Sequence, residues 1–209
     1  MSQALYDPII ASSHLSKLIK PIVSLGDAAQ LKVRLAQDKK DIRAAQALRY
    51  EVFYKTMGAH PKFRQRLSRI DSDRYDSVCE HLLLTTTEKV AKASKKTRLA
   101  NGETVIGCYR LLCRDVAERA GGFYSQNEFD LTPFLNGAGR HLNIVELGRS
   151  CVHPDFRSGK GISLMWKGLG AFAARHGIEA MIGCASFSGT DPQAFAQPLS
   201  YLHHHHVGE

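Results

Sequence analysis

The 209-residue chain is 44% hydrophobic, enough for one sizeable core, and its formal charge of +8 predicts an acidic partner: nucleic acid, anionic lipid or an acidic carrier protein. No apolar run approaches the roughly 18 residues of a spanning helix and the N-terminus has no continuous apolar signal core, so the expected location is the cytoplasm, with at most peripheral contact at the inner face of the membrane. Five widely spaced cysteines without a C-x-x-C pair exclude a disulfide framework and a zinc site, and no metal centre is expected.

Residues 1–30 hold Pro8, Pro21 and Gly26 without a clear period and read as a loosely attached arm; residues 31–209 read as one domain. LKVRLAQ (31–37) alternates apolar and polar side chains and predicts a strand. Segment 38–58 places Ile42, Ala45, Leu48, Val52 and Phe53 at helical spacing, with Asp38 as N-cap and Gly58 as stop, and sets Arg49 and Phe53 four residues apart on one face. HLLLTTT (81–87) and ETVIGCYRLLC (103–113) predict antiparallel strands joined by a Lys-rich solvated loop, and the stretch 121–135, with Pro133, predicts short turns or helices. NIVELGRSCV (143–152) predicts a strand, followed by a glycine turn, a helix over 162–177 stopped by Gly177, and a last strand over 179–187. Strand, helix, three strands, glycine turn, helix, strand is the order of a mixed α/β sheet. Trp166 and Phe172 on the late helix read as core.

The segment 145–172 carries the chemistry. A strand that runs into a glycine turn opening a helix presents unpaired backbone N–H groups and the positive end of the helix dipole, a place suited to a phosphate. Arg157, Gly159, Lys160 and Gly161 stand there, although the two glycines alone also fit an ordinary turn. Cys151 and His153, two apart at a strand end, read as packing rather than as a nucleophilic pair.

Seven stretches, LRYEVFYKTMGA (48–59), DSDRYDSVCEHLLL (71–84), VIGCYRLL (105–112), FYSQNEFDL (123–131), VELGRSCVHPDFR (145–157), GCASFSGTDP (183–192) and LSYLHHHH (199–206), occur in an order that resembles GNAT-like acyltransferases. The likeness is strongest to the ornithine N-acyltransferases that begin ornithine-lipid synthesis. That group is similar to acyl-homoserine lactone synthases, with which it shares an Arg-x-x-x-Phe (Arg49, Phe53), an Asp-x-x-Asp (Asp73, Asp76) and a Glu-x-x-Arg (Glu146, Arg149). One departure is Ser158, which stands where acetyl-CoA-using members carry Arg or Gln and points away from acetyl-CoA as donor. The family usually continues past a stretch like YLHHHH, so part of an acceptor or lipid-handling surface is expected to be missing.

The resemblance implies the GNAT (acyl-CoA N-acyltransferase-like) fold and direct transfer of a (3-hydroxy)fatty acyl group from the phosphopantetheine thioester of acyl carrier protein to the α-amine of L-ornithine, with no permanently bound cofactor. Glu146 is the expected base for the attacking amine, with Arg149 beside it in the motif, and backbone N–H groups near Ser150, Cys151 and Val152 are the expected oxyanion donors. On a regular strand Glu146 and Arg149 point to opposite faces, so no local pair is expected. Arg49 or Arg110 would grip the acceptor carboxylate. Asp73 and Asp76 would hold its second ammonium or else knit a structural network with Arg49 and Arg110. Arg157, Lys160 and Lys167 would steer the acidic carrier. The competing readings are a homoserine-lactone synthase, another GNAT enzyme using acyl-CoA, and a basic nucleic-acid-binding module; against the last, the sequence carries no nucleic-acid-binding motif.

Overall fold

Strand β2 (Leu31–Leu35) forms where the alternation is cleanest, and with β1 (Val23–Ser24), β3 (Glu80–Thr86), β4 (Thr104–Cys113), β5 (Ile144–Val152) and β6 (Ala180–Ile182) it builds one sheet in the order β1-β2-β3-β4-β5-β6. Neighbours are antiparallel except β5 and β6. Their parallel pairing requires a crossover, and helix α5 (Gly159–His176) supplies it. The computed structural model describes residues 23–24, 30–91, 93–157, 159–187 and 189–207. The expected N-terminal arm therefore lies outside the described residues, apart from Val23–Ser24 at the sheet edge, and so does Ser158.

Helices cover both faces. On one, α5 buries Leu164, Met165, Leu169 and Phe172 against Val33, Leu82 and Val145, each large side chain contributing about 1.5–3 kcal/mol of transfer free energy. On the other, α1 (Lys39–Arg49), capped by Asp38 accepting from the Lys40 and Asp41 N–H groups, lays Ala44, Ala45 and Leu48 over Leu83, Val105 and Cys108. Further along that face, Leu112 and Ile144 pack with Tyr75, Phe123 and Ala117 of α3 (Arg114–Arg119). Trp166 is not core as expected. The positions that α5 turns to the sheet are 164, 165, 168, 169 and 172, so the indole falls on the outer flank, 53% exposed and edge-on to Tyr109.

Two departures from regularity shape the site. The helix expected over 38–58 continues past Arg49 as a π-helical segment, Tyr50–Thr56, closed by the Met57 N–H donating to the Val52 carbonyl five residues back. On β5, Cys151 lies opposite Cys108 but Gly148 lies opposite Arg110, so Arg149 and Ser150 together face the single residue Tyr109. This is a β-bulge, with Arg149 at φ 51° in the left-handed region, a conformation costing an L-residue of this kind about 1–2 kcal/mol.

Candidate functional site

Beside the bulge opens a cleft of about 590 Å³, within the range of small-molecule sites. Its walls are Phe53, Tyr54 and Met57 of the π-helical segment, Glu146 to Ser150 of β5, the turn carrying Tyr124, Ser125 and Glu128, and Cys184 to Ser186 after β6. The chain topology explains the opening. Strand β6 pairs only with Ile144, Val145 and Glu146, so beyond Glu146 the outer edge of β5 has no strand partner among the described residues. The last strand, expected to run to 187, stops at Ile182, and Gly183 follows with its Cα so close to the Leu147 carbonyl that a Cβ there would sit 2.6 Å from the oxygen.

Glu146 lies buried at the cleft floor. Its Oε2 accepts from the Tyr124 N–H at 2.8 Å and its Oε1 from the Ser125 N–H at 2.6 Å and from the Ser125 hydroxyl. Both carboxylate oxygens thus hold the start of the short 3₁₀ turn Tyr124–Asn127. The Cys184 thiol donates to Ser125 Oγ at 3.2 Å, so thiol, hydroxyl and carboxylate form a short chain along the wall. Ser125, Tyr124, Glu128 and Cys184 were not singled out in the sequence. FYSQNEFDL was the available signal, but nothing in it marks Ser125 as the residue that folds back on Glu146.

Beneath the cleft three guanidinium groups meet three carboxylates. Arg49, fully buried, lies with Nε 2.9 Å from Asp71 Oδ2 and donates to Asp76 at 2.8 and 2.7 Å. Arg110 donates to Asp73 at 2.6 Å, and Arg149 donates to the other oxygen of Asp73 at 3.0 Å. Tyr54 closes the set by donating its hydroxyl to Asp71 at 2.9 Å. Burial opposes ionisation of Asp76 and Asp73, but the hydrogen bonds and charge of Arg49 on the first and Arg110 on the second outweigh it and hold both carboxyls below the usual carboxylate range. Burial together with the Asp71 carboxylate pushes the Tyr54 phenol up to about 12.

The site residues read from the sequence separate accordingly. Glu146, Arg149, Phe53, Arg110 and Ser150 line the cleft. Arg49 and Asp76 lie beneath it, bound to each other, in the structural network that was one of the two readings of these residues. Of the two guanidinium groups on the wall, Arg110 is 4% exposed and Arg149 27%. Glu146 and Arg149 do not pair: one binds the 124–125 turn, the other Asp73. The thiol of Cys151 turns into the core, 3.6 Å from Cys108 Sγ and away from His153, whose ring faces Asp155 and Phe156.

The phosphate-side residues lie where β5 leaves the cleft. Arg157 Nε donates to the Val152 carbonyl at 3.1 Å, Gly159 and Lys160 open the first turn of α5 exposed, and Gly161 is buried there at a position where a Cβ would meet the Phe156 carbonyl oxygen at 2.7 Å. Among the described residues no group of His, Cys, Asp and Glu could hold a metal ion, the His203–His206 run included.

Residues 48–167 match the family described as acetyltransferase (GNAT) domain. The chain is 43% identical over 182 residues to the L-ornithine N(alpha)-acyltransferase of Rhizobium meliloti, covering 86% of this chain and 58% of that protein. It is 41% identical over 182 residues to the protein of the same name from Brucella abortus, covering 87% and 62%. The chain thus spans about three fifths of the length of these curated relatives. Among solved structures, the AHL synthase LasI superposes with a TM-score of 0.46 at 17% identity, over 73% of this chain and 71% of that one.

Proposed function

We propose, from the premise that this chain belongs to the acetyltransferase (GNAT) domain family, that it transfers a fatty acyl group from a phosphopantetheine thioester on acyl carrier protein to the α-amine of L-ornithine, giving an N-acyl-ornithine. The observation that carries the reading is Glu146: a buried carboxylate at the floor of a cleft, at the residue where β5 loses its strand partner. The acceptor follows the names of the curated relatives.

The chain's own groups fit the steps. The donor's arm enters past the first turn of α5, where N–H groups, Arg157 and Lys160 meet its phosphate, and runs along the unpaired edge of β5 to the bulge. The acceptor's carboxylate goes to Arg149, the more exposed guanidinium of the wall, and its second ammonium to Glu128. The protonated amine loses one proton to Glu146, directly or through the Ser125 hydroxyl. Its nitrogen then bonds to the thioester carbon, the oxyanion rests on backbone N–H groups at Ser150–Val152, and the C–S bond breaks as one of the two remaining amine protons passes to the leaving sulfur, the other staying as the amide N–H.

Incubating the protein with 3-hydroxyacyl carrier protein and L-ornithine and reading the products by mass spectrometry tests this: N-acyl-ornithine and free carrier thiol are expected together. Turnover with acetyl-CoA and none with long acyl donors would instead make the chain a small-acyl GNAT enzyme.

A further inference from the structure

We infer that the surface built around α2 (Phe63–Ser68) docks the protein onto a bilayer bearing anionic headgroups. From Val52 to Ile70 the sequence holds no Asp or Glu but has Lys55, Lys62, Arg64, Arg66 and Arg69. Lys55 pairs with Glu51, whereas Lys62, Arg64, Arg66 and Arg69 are exposed and form no ion pair among the described residues. A second acid-free run, 89–102, comes alongside: Lys96 Nζ donates to the Ser68 carbonyl at 2.6 Å, which sets exposed Lys95 and Arg98 beside the end of α2.

The orientation of α2 is fixed from beneath. Gln65 donates to Asp71 at 3.3 Å and accepts from the Lys62 N–H at 2.9 Å, so it faces inward. At about 100° per residue, Phe63 and Leu67 then fall on the outward ridge, with Arg64 and Arg66 on its two flanks. Phe63 is 72% exposed and Leu67 79%, and Met57, which leads from this surface into the cleft wall, is exposed as well. A protein partner would have to present a matched pocket to each protruding side chain, whereas the interfacial zone of a bilayer accepts Phe and Leu in any arrangement and its anionic headgroups take up the cations.

The vesicle-binding measurement needs no substrate, so it stands or falls apart from the proposed reaction. The whole chain is sedimented with phosphatidylcholine vesicles with and without phosphatidylglycerol. Binding to the anionic vesicles alone is expected, weakened by salt, falling about tenfold or more in Phe63→Ser/Leu67→Ser and about a hundredfold in Arg64→Glu/Arg66→Glu. Circular dichroism and vesicle-free acyl transfer from carrier protein are expected to match the parent in both variants. No binding by the parent, equal binding by either variant, or loss of transfer from carrier protein with vesicle binding intact overturns the inference, the last making the surface a carrier-protein dock.

Discussion

Glu146 cannot be replaced quietly by its amide. Tyr124 and Ser125 direct N–H groups at opposite oxygens of the carboxylate, so in Glu146→Gln the side-chain NH₂ must face one of these donors. The expected cost is about 1–3 kcal/mol of stability, beside a fall in turnover of about 10²–10⁴-fold for loss of the base and unchanged binding of carrier protein. Single-turnover rates, urea unfolding and calorimetric titration with the carrier separate the three effects, and unchanged turnover removes Glu146 from the mechanism. Under the cleft, Asp76→Ala leaves the fully buried Arg49 facing Asp71 alone and is expected to cost about 3–5 kcal/mol in urea unfolding. A motif in the sequence could assign Glu146, Arg149, Asp73 and Asp76 to one neighbourhood, but not distribute them between cleft and foundation. That division depends on which side chains the turn at 124–125 and the loop at 71–76 present, and those contacts span 21 to 76 residues of chain.

At the scale of elements, periodicity located the helices α1 and α5 and the strands β2 to β5, but not the ten-residue helix Ala196–His205, and it missed the places where the period slips. The π-helical segment keeps the apolar spacing of an α-helix to within one residue, so Arg49 and Phe53 read as one face; the slip sends Arg49 to the foundation and Phe53 to the cleft wall. The bulge on β5 is equally silent, because only pairing with β4 reveals that two residues oppose one. The turn before α5 was legible and makes its own prediction. Gly161→Ala forces its Cβ against the Phe156 carbonyl at 2.7 Å, which has to move the first turn of α5. The expected result is a raised KM for the thioester donor, with the KM for the amine unchanged, in initial-rate measurements; equal donor KM values would detach this turn from donor binding.

For the molecule as a whole, the charge network ties α1, the loop at 71–76, β4 and β5 together, so the stability of the fold and the shape of the cleft share an acid dependence. Asp73 and Asp76 titrate below their unfolded value of about 3.9. Their contribution is therefore complete above that pH and is lost as pH falls through the lower folded values. Urea midpoints are expected to drop steeply below about pH 4, and less steeply in Asp76→Asn. Among the described residues no helix is long and apolar enough to cross a membrane. The bulge at Arg149–Ser150 also makes β5 a strand that counts differently at its two ends. Before it, odd-numbered Val145 and Leu147 join the α5 core; after it, even-numbered Val152 does, and Cys151 joins α1. Deleting one residue at this point would leave a single residue opposite Tyr109 and restore regular alternation, with Val152 still on the α5 side and the Cys151 thiol still on the α1 side. The extra residue therefore reshapes the cleft wall without changing which side chains the strand gives to the core.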